Sequence, residues 1–256
     1  MSDREPSPVH DMTMTVFPGY LAGPGPDALA DFLDGRPQWT VRRPDADSTV
    51  ALHEDATARI VLDNSPFAAR RWTISSYHRP DGPVDWTAVL CPQAPAEVAL
   101  AVARRLDHAL AQPTEEERGF KLWGDWDETP DADELIRAEA DRAGWTSTGC
   151  TISTARHASS DGTAGLEIRG YHERPATTDA DLTYTLWAGP AGRQDPSWSA
   201  QFTRFAPPNI LLAALHTLTR PAPYPRRASQ IPMAHRAHLH THPHARPRPV
   251  PTPTVR

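Results

Sequence analysis

The side chains of this chain best able to do chemistry are its twelve histidines and two cysteines, and neither set has the spacing of a reactive centre. His53, His78, His108, His157, His172 and His216 are scattered through the body, with no His-x-x-x-His or His-Glu-x-x-His pair to put two metal-ligating groups on one helix face. Cys91 and Cys150 cannot make a disulfide framework or a thiolate metal site, and each is expected to act as a small buried hydrophobe at a strand end. No Gly-x-Ser-x-Gly elbow is present, and the glycines at 19, 23 and 25 follow no strand and lack the Lys-Ser/Thr ending of a phosphate cradle. The carboxylates of Glu115 to Glu117 and Asp131 to Glu134 read as linker and helix start, where the helix dipole alone favours acid. The densest signature is near the C-terminal end, where His235, His238, His240, His242 and His244 stand among arginine and proline. Alternate imidazoles on an extended chain could chelate a divalent cation, but a disordered, compositionally biased segment needs no metal. The expectation is therefore no catalytic, cofactor-binding or metal-binding residue and no cofactor, with an enzyme of unrecognised type kept as an alternative.

Composition bounds what must hold these residues. With 39% hydrophobic and 7% aromatic residues, the 256-residue chain suits a globular body. Its 28 prolines are too many to sit inside regular elements, so part is expected as linker or tail. Residues 223–256 hold six arginines and no acid; against a total of −6 this leaves a body near −12 with a basic tail. An acidic body argues against a nucleic-acid grip by the folded part, because phosphate affinity needs clustered Lys and Arg. The opening residues lack a secretory signal, and the longest apolar run, Ile210 to Leu215, falls far short of the roughly 20 residues that span a bilayer. A cytoplasmic protein without membrane insertion is the expectation.

The positioning elements are written nearly twice. Trp86-x-Ala88-x-Leu90 with Ala94-Pro95 and Val98 returns 112 residues later as Trp198-x-Ala200-x-Phe202 with Ala206-Pro207 and Ile210. Leu29, Trp39, Asp55, Ile60 and Leu62 find partners 106 residues on, at Leu135, Trp145, Asp161, Leu166 and Ile168. Trp72 to Tyr184 already stands at 112, which places a six-residue insertion within Arg169 to Leu182. Each copy predicts a helix (27–34, then 131–143), short β-rich runs such as Trp39 to Val41, Val50 to Leu52, Ile60 to Leu62, Trp72 to Ile74 and Trp86 to Leu90, and a closing helix from Pro95 to Ala111 with apolar residues every four. In the second hairpin, Val50 and Leu52 face Arg156 and Ala158, so a slip of a few residues is expected there. The predicted fold is α+β with two tandem repeats, each a helix, an antiparallel four- to five-stranded meander and a C-terminal helix. The expected divisions are a disordered N-terminus at 1–16, repeats at 17–111 and 130–222, an acidic linker at 112–129, and a disordered Pro/Arg/His-rich tail at 223–256. Trp123 and Trp126 in the linker are expected to dock on the body, with contact to a partner as the alternative.

Gly144-Trp145, the Ser160-Asp161-Gly162 turn, Trp72-Thr73-Ile74, and Trp86-x-Ala88 leading to Pro95-x-Glu97 together resemble the domain of unknown function 317. Tyr20 to Gly25 is similar to that family's lead-in, and the resemblance covers Phe17 to Pro221. It implies tandem copies and a filamentous, high-GC bacterial source, in keeping with Lys121 being the one lysine among 26 basic residues. The family implies no activity, cofactor or catalytic residue. At Pro207-Pro208-Asn209 the second copy departs from Pro-x-Glu, and Leu90 replaces the usual aromatic. A duplicated unit without a reactive cluster predicts a non-catalytic scaffold or adaptor that binds a protein or peptide through a sheet face, sheet edge or the groove between copies. Nucleic-acid association through the basic tail is the second alternative.

Overall fold

Every second residue of the predicted β-rich runs is apolar, so each run can bury one face once its neighbour pairs with it. A computed structural model of the protein, describing residues 12–25, 28–123, 131–151, 154–170, 182–191 and 195–243, places them in that way. In chain order the elements are β1 (Thr13–Phe17), α1 (Leu29–Leu33), β2 (Trp39–Arg42), β3 (Ser48–His53), β4 (Ala58–Asp63), β5 (Trp72–Tyr77), β6 (Val84–Leu90), α2 (Ala96–Leu110) and α3 (Glu115–Trp123). There follow α4 (Ala132–Arg142), β7 (Thr146–Cys150), β8 (Thr154–Ala158), β9 (Ala164–Arg169), β10 (Leu182–Ala188), β11 (Trp198–Thr203), α5 (Pro208–Thr219), β12 (Tyr224–Arg227) and β13 (His240–Pro243).

Ten strands form one antiparallel sheet in the order β2-β3-β4-β5-β6-β11-β10-β9-β8-β7. Five strands from each half of the chain meet at the β6–β11 seam. There Ala88 pairs with Phe202, Val89 with Gln201 and Leu90 with Ala200. The registers on the two sides correspond pair by pair: Ala51 opposite Ile60 and His157 opposite Leu166; Leu62 opposite Trp72 and Ile168 opposite Tyr184; Ile74 opposite Ala88 and Leu186 opposite Ala200. The expected slip in the second hairpin is therefore corrected. Strand β8 keeps its register against β9, and β7 pairs with β8 through a bulge between Ser147 and Gly149. Pairing of the backbone holds the register even where Arg156 replaces an apolar residue, because that position faces solvent.

Helices α2 and α5 pack together over the seam, with α3 and α4 against them. Pro95 caps α2 and Pro208 opens α5, where a missing N–H is harmless. The face they cover carries Trp72, Trp86, Trp198, Phe202, Ile60, Ile74, Leu166 and Leu186, all within a single apolar core drawn from both halves. Burying each such side chain contributes on the order of 1.5–3 kcal/mol.

Three expected irregular stretches contain regular structure. Residues 13–16 belong to β1, and the linker holds α3. Of the expected disordered tail, residues 224–243 are ordered: β12 and β13 flank β1 in a three-stranded sheet, with Val16, Ala22 and Ile231 beneath. Composition misjudged this segment because its burial depends on partners far away in the chain, which a count of Pro, Arg and His cannot see. Trp126 and the Trp123 side chain lie outside the described residues.

Candidate functional site

Cross-strand partners share a face of a sheet, so the pairing fixes which residues point away from the helices. One row of partners crosses all ten strands on that side: Arg42, Val50, Val61, Thr73, Val89, Gln201, Thr185, Glu167, Arg156 and Gly149. Beside it Ser75 and Thr87 share a hydroxyl hydrogen bond of 3.1 Å, and the Thr87 N–H donates to Thr203 Oγ1 at 2.9 Å. Arg156 and Arg169 both donate to Glu167, at 2.9 and 2.8 Å, which leaves that carboxylate neutralised. Trp187 lies flat on Gly165: a Cβ built there would come within 2.2 Å of the indole. A glycine inside an apolar strand is the sequence signal for such a close approach, and sequence reasoning had passed over it. This face is mixed in character, with buried and half-buried hydroxyls and valines at its centre and exposed arginines toward both ends.

A second polar cluster sits where residues 20–24 meet the segment after α5. Backbone carbonyls of the lead-in must find donors when buried. Tyr20 O accepts from Trp198 Nε1 (2.8 Å), Gly23 O from Arg226 Nη2 (3.3 Å) and Pro24 O from the Ala96 N–H (3.1 Å). Leu21 O lies 2.7 Å from His235 Nδ1, and the other ring nitrogen, Nε2, lies 2.7 Å from Ser197 Oγ. Arg226, 2% exposed, also clamps both oxygens of Glu97 at 2.8 and 2.6 Å. Burial pushes the Tyr20 hydroxyl pKa above its ordinary value, against the hydrogen bond with Thr163 Oγ1 at 3.0 Å.

Two turns on opposite sides of the sheet have the same chemistry. Asp55 Oδ1 accepts from Thr57 N and Oγ1 and lies 2.7 Å from His53 Nδ1; Asp161 Oδ1 accepts from Thr163 N and Oγ1 and from Ser159 Oγ. Elsewhere, Asp107 on α2 accepts from Trp39 Nε1, Arg36 Nε and Gln38 Nε2, tying β2 to the helix layer. Glu139 on α4 is buried and faces Arg142, Arg220 (2.9 Å) and His216 (3.1 Å), so it fastens α4 to α5. Burial, then the Arg220 and Arg142 charges, hold the His216 pKa below its usual value.

The histidines and cysteines singled out by sequence are dispersed by the fold. His53 and His157 are buried, and His172 and His244 lie outside the described residues. Of the C-terminal set, His235 is 3% exposed, His238 is in the same 3-10 turn, and His240 and His242 are exposed on β13. No group of three or more His, Cys, Asp or Glu among the described residues could hold a metal ion. Both thiols are free; Cys150 is exposed at the end of edge strand β7, and Cys91 is half-buried, receiving the Ser199 N–H at 3.3 Å. The expectation of two buried cysteines is thus corrected, because an edge strand has no neighbour to cover it.

Together the fold and these clusters define a mixed α/β protein with an antiparallel sheet, helices on one of its faces and a row of hydroxyl, amide and valine side chains on the other. Residues 158–224, about a quarter of the chain, match the family model SPDY, a domain of unknown function (DUF317), from the last residue of β8 to the first of β12. No curated protein and no solved structure matches the chain. Among the described residues, no helix is long and apolar enough to cross a membrane.

Proposed function

We propose that the chain is a duplicated unit of the DUF317 kind, and that it is a non-catalytic scaffold whose open sheet face docks another protein or peptide. The palindromic strand order and the recurring pair registers support the duplication. The helix-free row from Arg42 to Gly149 carries the docking reading. Nine gaps of about 4.8 Å make it about 43 Å wide, and strands of six residues give a height of about 20 Å. The product is close to the roughly 800 Å² that each partner gives to a standard interface. A bacterial cytoplasm and a high-GC genome, which the arginine usage favours, belong to the same reading.

Thr73→Arg and Gln201→Arg place bulk and charge at the centre of that face without touching the core. Affinity capture from the native host, read by mass spectrometry, should lose a protein that the wild type retains; an unchanged set of captured proteins would refute the assignment. Nucleic-acid binding through the C-terminal arginines is separated by cutting after Pro243. A cut at residue 222 would strip β12 and β13 as well, and so would change the body.

A further inference from the structure

His235 presents a proton-accepting nitrogen to a serine. The Leu21 carbonyl can only accept a hydrogen bond, so the Nδ1 at 2.7 Å from it carries a ring hydrogen. In the tautomer with that single hydrogen, the lone pair of Nε2 faces Ser197 Oγ at 2.7 Å and can take its hydroxyl proton. That is the geometry of a nucleophile, its base and a group orienting the base, with a backbone carbonyl in the orienting role. The histidine is buried at 3% exposure, whereas Ser197, one residue before β11, is half-buried. The pair belongs to one half of the sheet only. The position 112 residues before Ser197 is the exposed Asp85, and the C-terminal segment carrying His235 contacts the second half.

We propose that Ser197 is a nucleophilic serine that accepts an acyl group from an activated ester, with His235 as its general base. Ser197 Oγ adds to the ester carbonyl as its proton passes to Nε2. Collapse breaks the bond to the leaving oxygen, which departs with that proton as the alcohol, and the acyl group stays on Ser197. Oxidation states do not change, and the ester is the only co-reactant. The step is one transfer of an acyl group onto the protein and not a turnover, so it goes beyond the docking reading and is compatible with a scaffold that does not catalyse.

The probe is p-nitrophenyl acetate with full-length protein, followed by nitrophenolate absorbance and by peptide mass mapping. The expected result is an acetyl group on the Ser197 peptide, formed about 10²-fold or more faster than in His235→Gln and absent in Ser197→Ala. Far-UV circular dichroism establishes that the variants are folded. Should His235→Gln unfold, wild type in urea serves as the comparison, and the acetylation must fall to the rate of an ordinary serine. Acetylation at other residues only, or at equal rates in native and unfolded protein, would overturn the proposal.

Discussion

Ala56 sits in the β3–β4 turn with φ of +56°, a conformation that L-residues adopt with difficulty, while the corresponding position of the β8–β9 turn is Gly162 at +67°. Both turns place an aspartate one residue earlier and a threonine one residue later with the same hydrogen bonds. The left-handed conformation costs an L-residue about 1–2 kcal/mol. Glycine avoids that strain but loses about 0.5–1 kcal/mol more backbone entropy on folding. Ala56 is exposed, so its methyl group contributes little packing. Ala56→Gly should thus stabilise the protein by roughly 0.5–1 kcal/mol. Gly162→Ala should destabilise it by a similar roughly 0.5–1 kcal/mol. Space is not the obstacle at Gly162, because the nearest contact for a new Cβ is Ala191 Cβ at 4.0 Å. Equilibrium urea unfolding checks both: midpoints should move in opposite directions with the slope unchanged, and the matching shift in Tm is a few degrees. Destabilisation by Ala56→Gly, or no effect of Gly162→Ala, would refute the backbone-strain reasoning.

Two further substitutions test the clamps that hold the layers together. Burial alone would raise the Asp107 pKa, but hydrogen bonds from Trp39, Arg36 and Gln38 and the Arg36 charge outweigh it and hold the carboxyl below its ordinary value. A depressed carboxylate contributes stability above its unfolded pKa, near 3.9, and loses it as pH falls through the folded value. Asp107→Asn should therefore lower stability at pH 7 by roughly 1–3 kcal/mol, with the gap to wild type closing below about pH 4 in urea titrations at stepped pH. Arg226→Ala removes one partner of the Glu97 pair and opens the junction between β12 and the lead-in. Glu97 is 28% exposed and can regain some water, so the expected loss is near 3 kcal/mol, the lower end for a broken buried pair, again read by urea unfolding.

Much of the local structure was legible because it depends on near neighbours. The β-rich runs around Trp39, Ile60, Trp72 and Trp86 are strands, and apolar spacing of four gave α2 from Val98 to Leu110. The change of offset from 106 to 112 put the longer connection in the right place: Leu62 and Trp72 pair at ten residues' separation, Ile168 and Tyr184 at sixteen. Expected helix ends moved by a residue or two, as 27–34 became Leu29–Leu33. Of the candidate site, Asp55, Asp161 and the tryptophans were visible as landmarks, while Ser197, Asp107 and Trp187 were not.

By itself the sequence determined most strands and helices of the two halves and which of their faces are apolar, since those properties repeat every two or four residues, but it passed over β1, α3, β12 and β13. Tertiary structure alone decided that both halves share one sheet. The β6–β11 seam is made by main-chain N–H and C=O groups, which are alike at every strand edge and so leave no side-chain signature. It also decided the fate of the C-terminal segment. Arg226 and His235 read as solvated tail residues until Glu97, 129 positions away, and Leu21, 214 positions away, supply the partners that make their burial favourable.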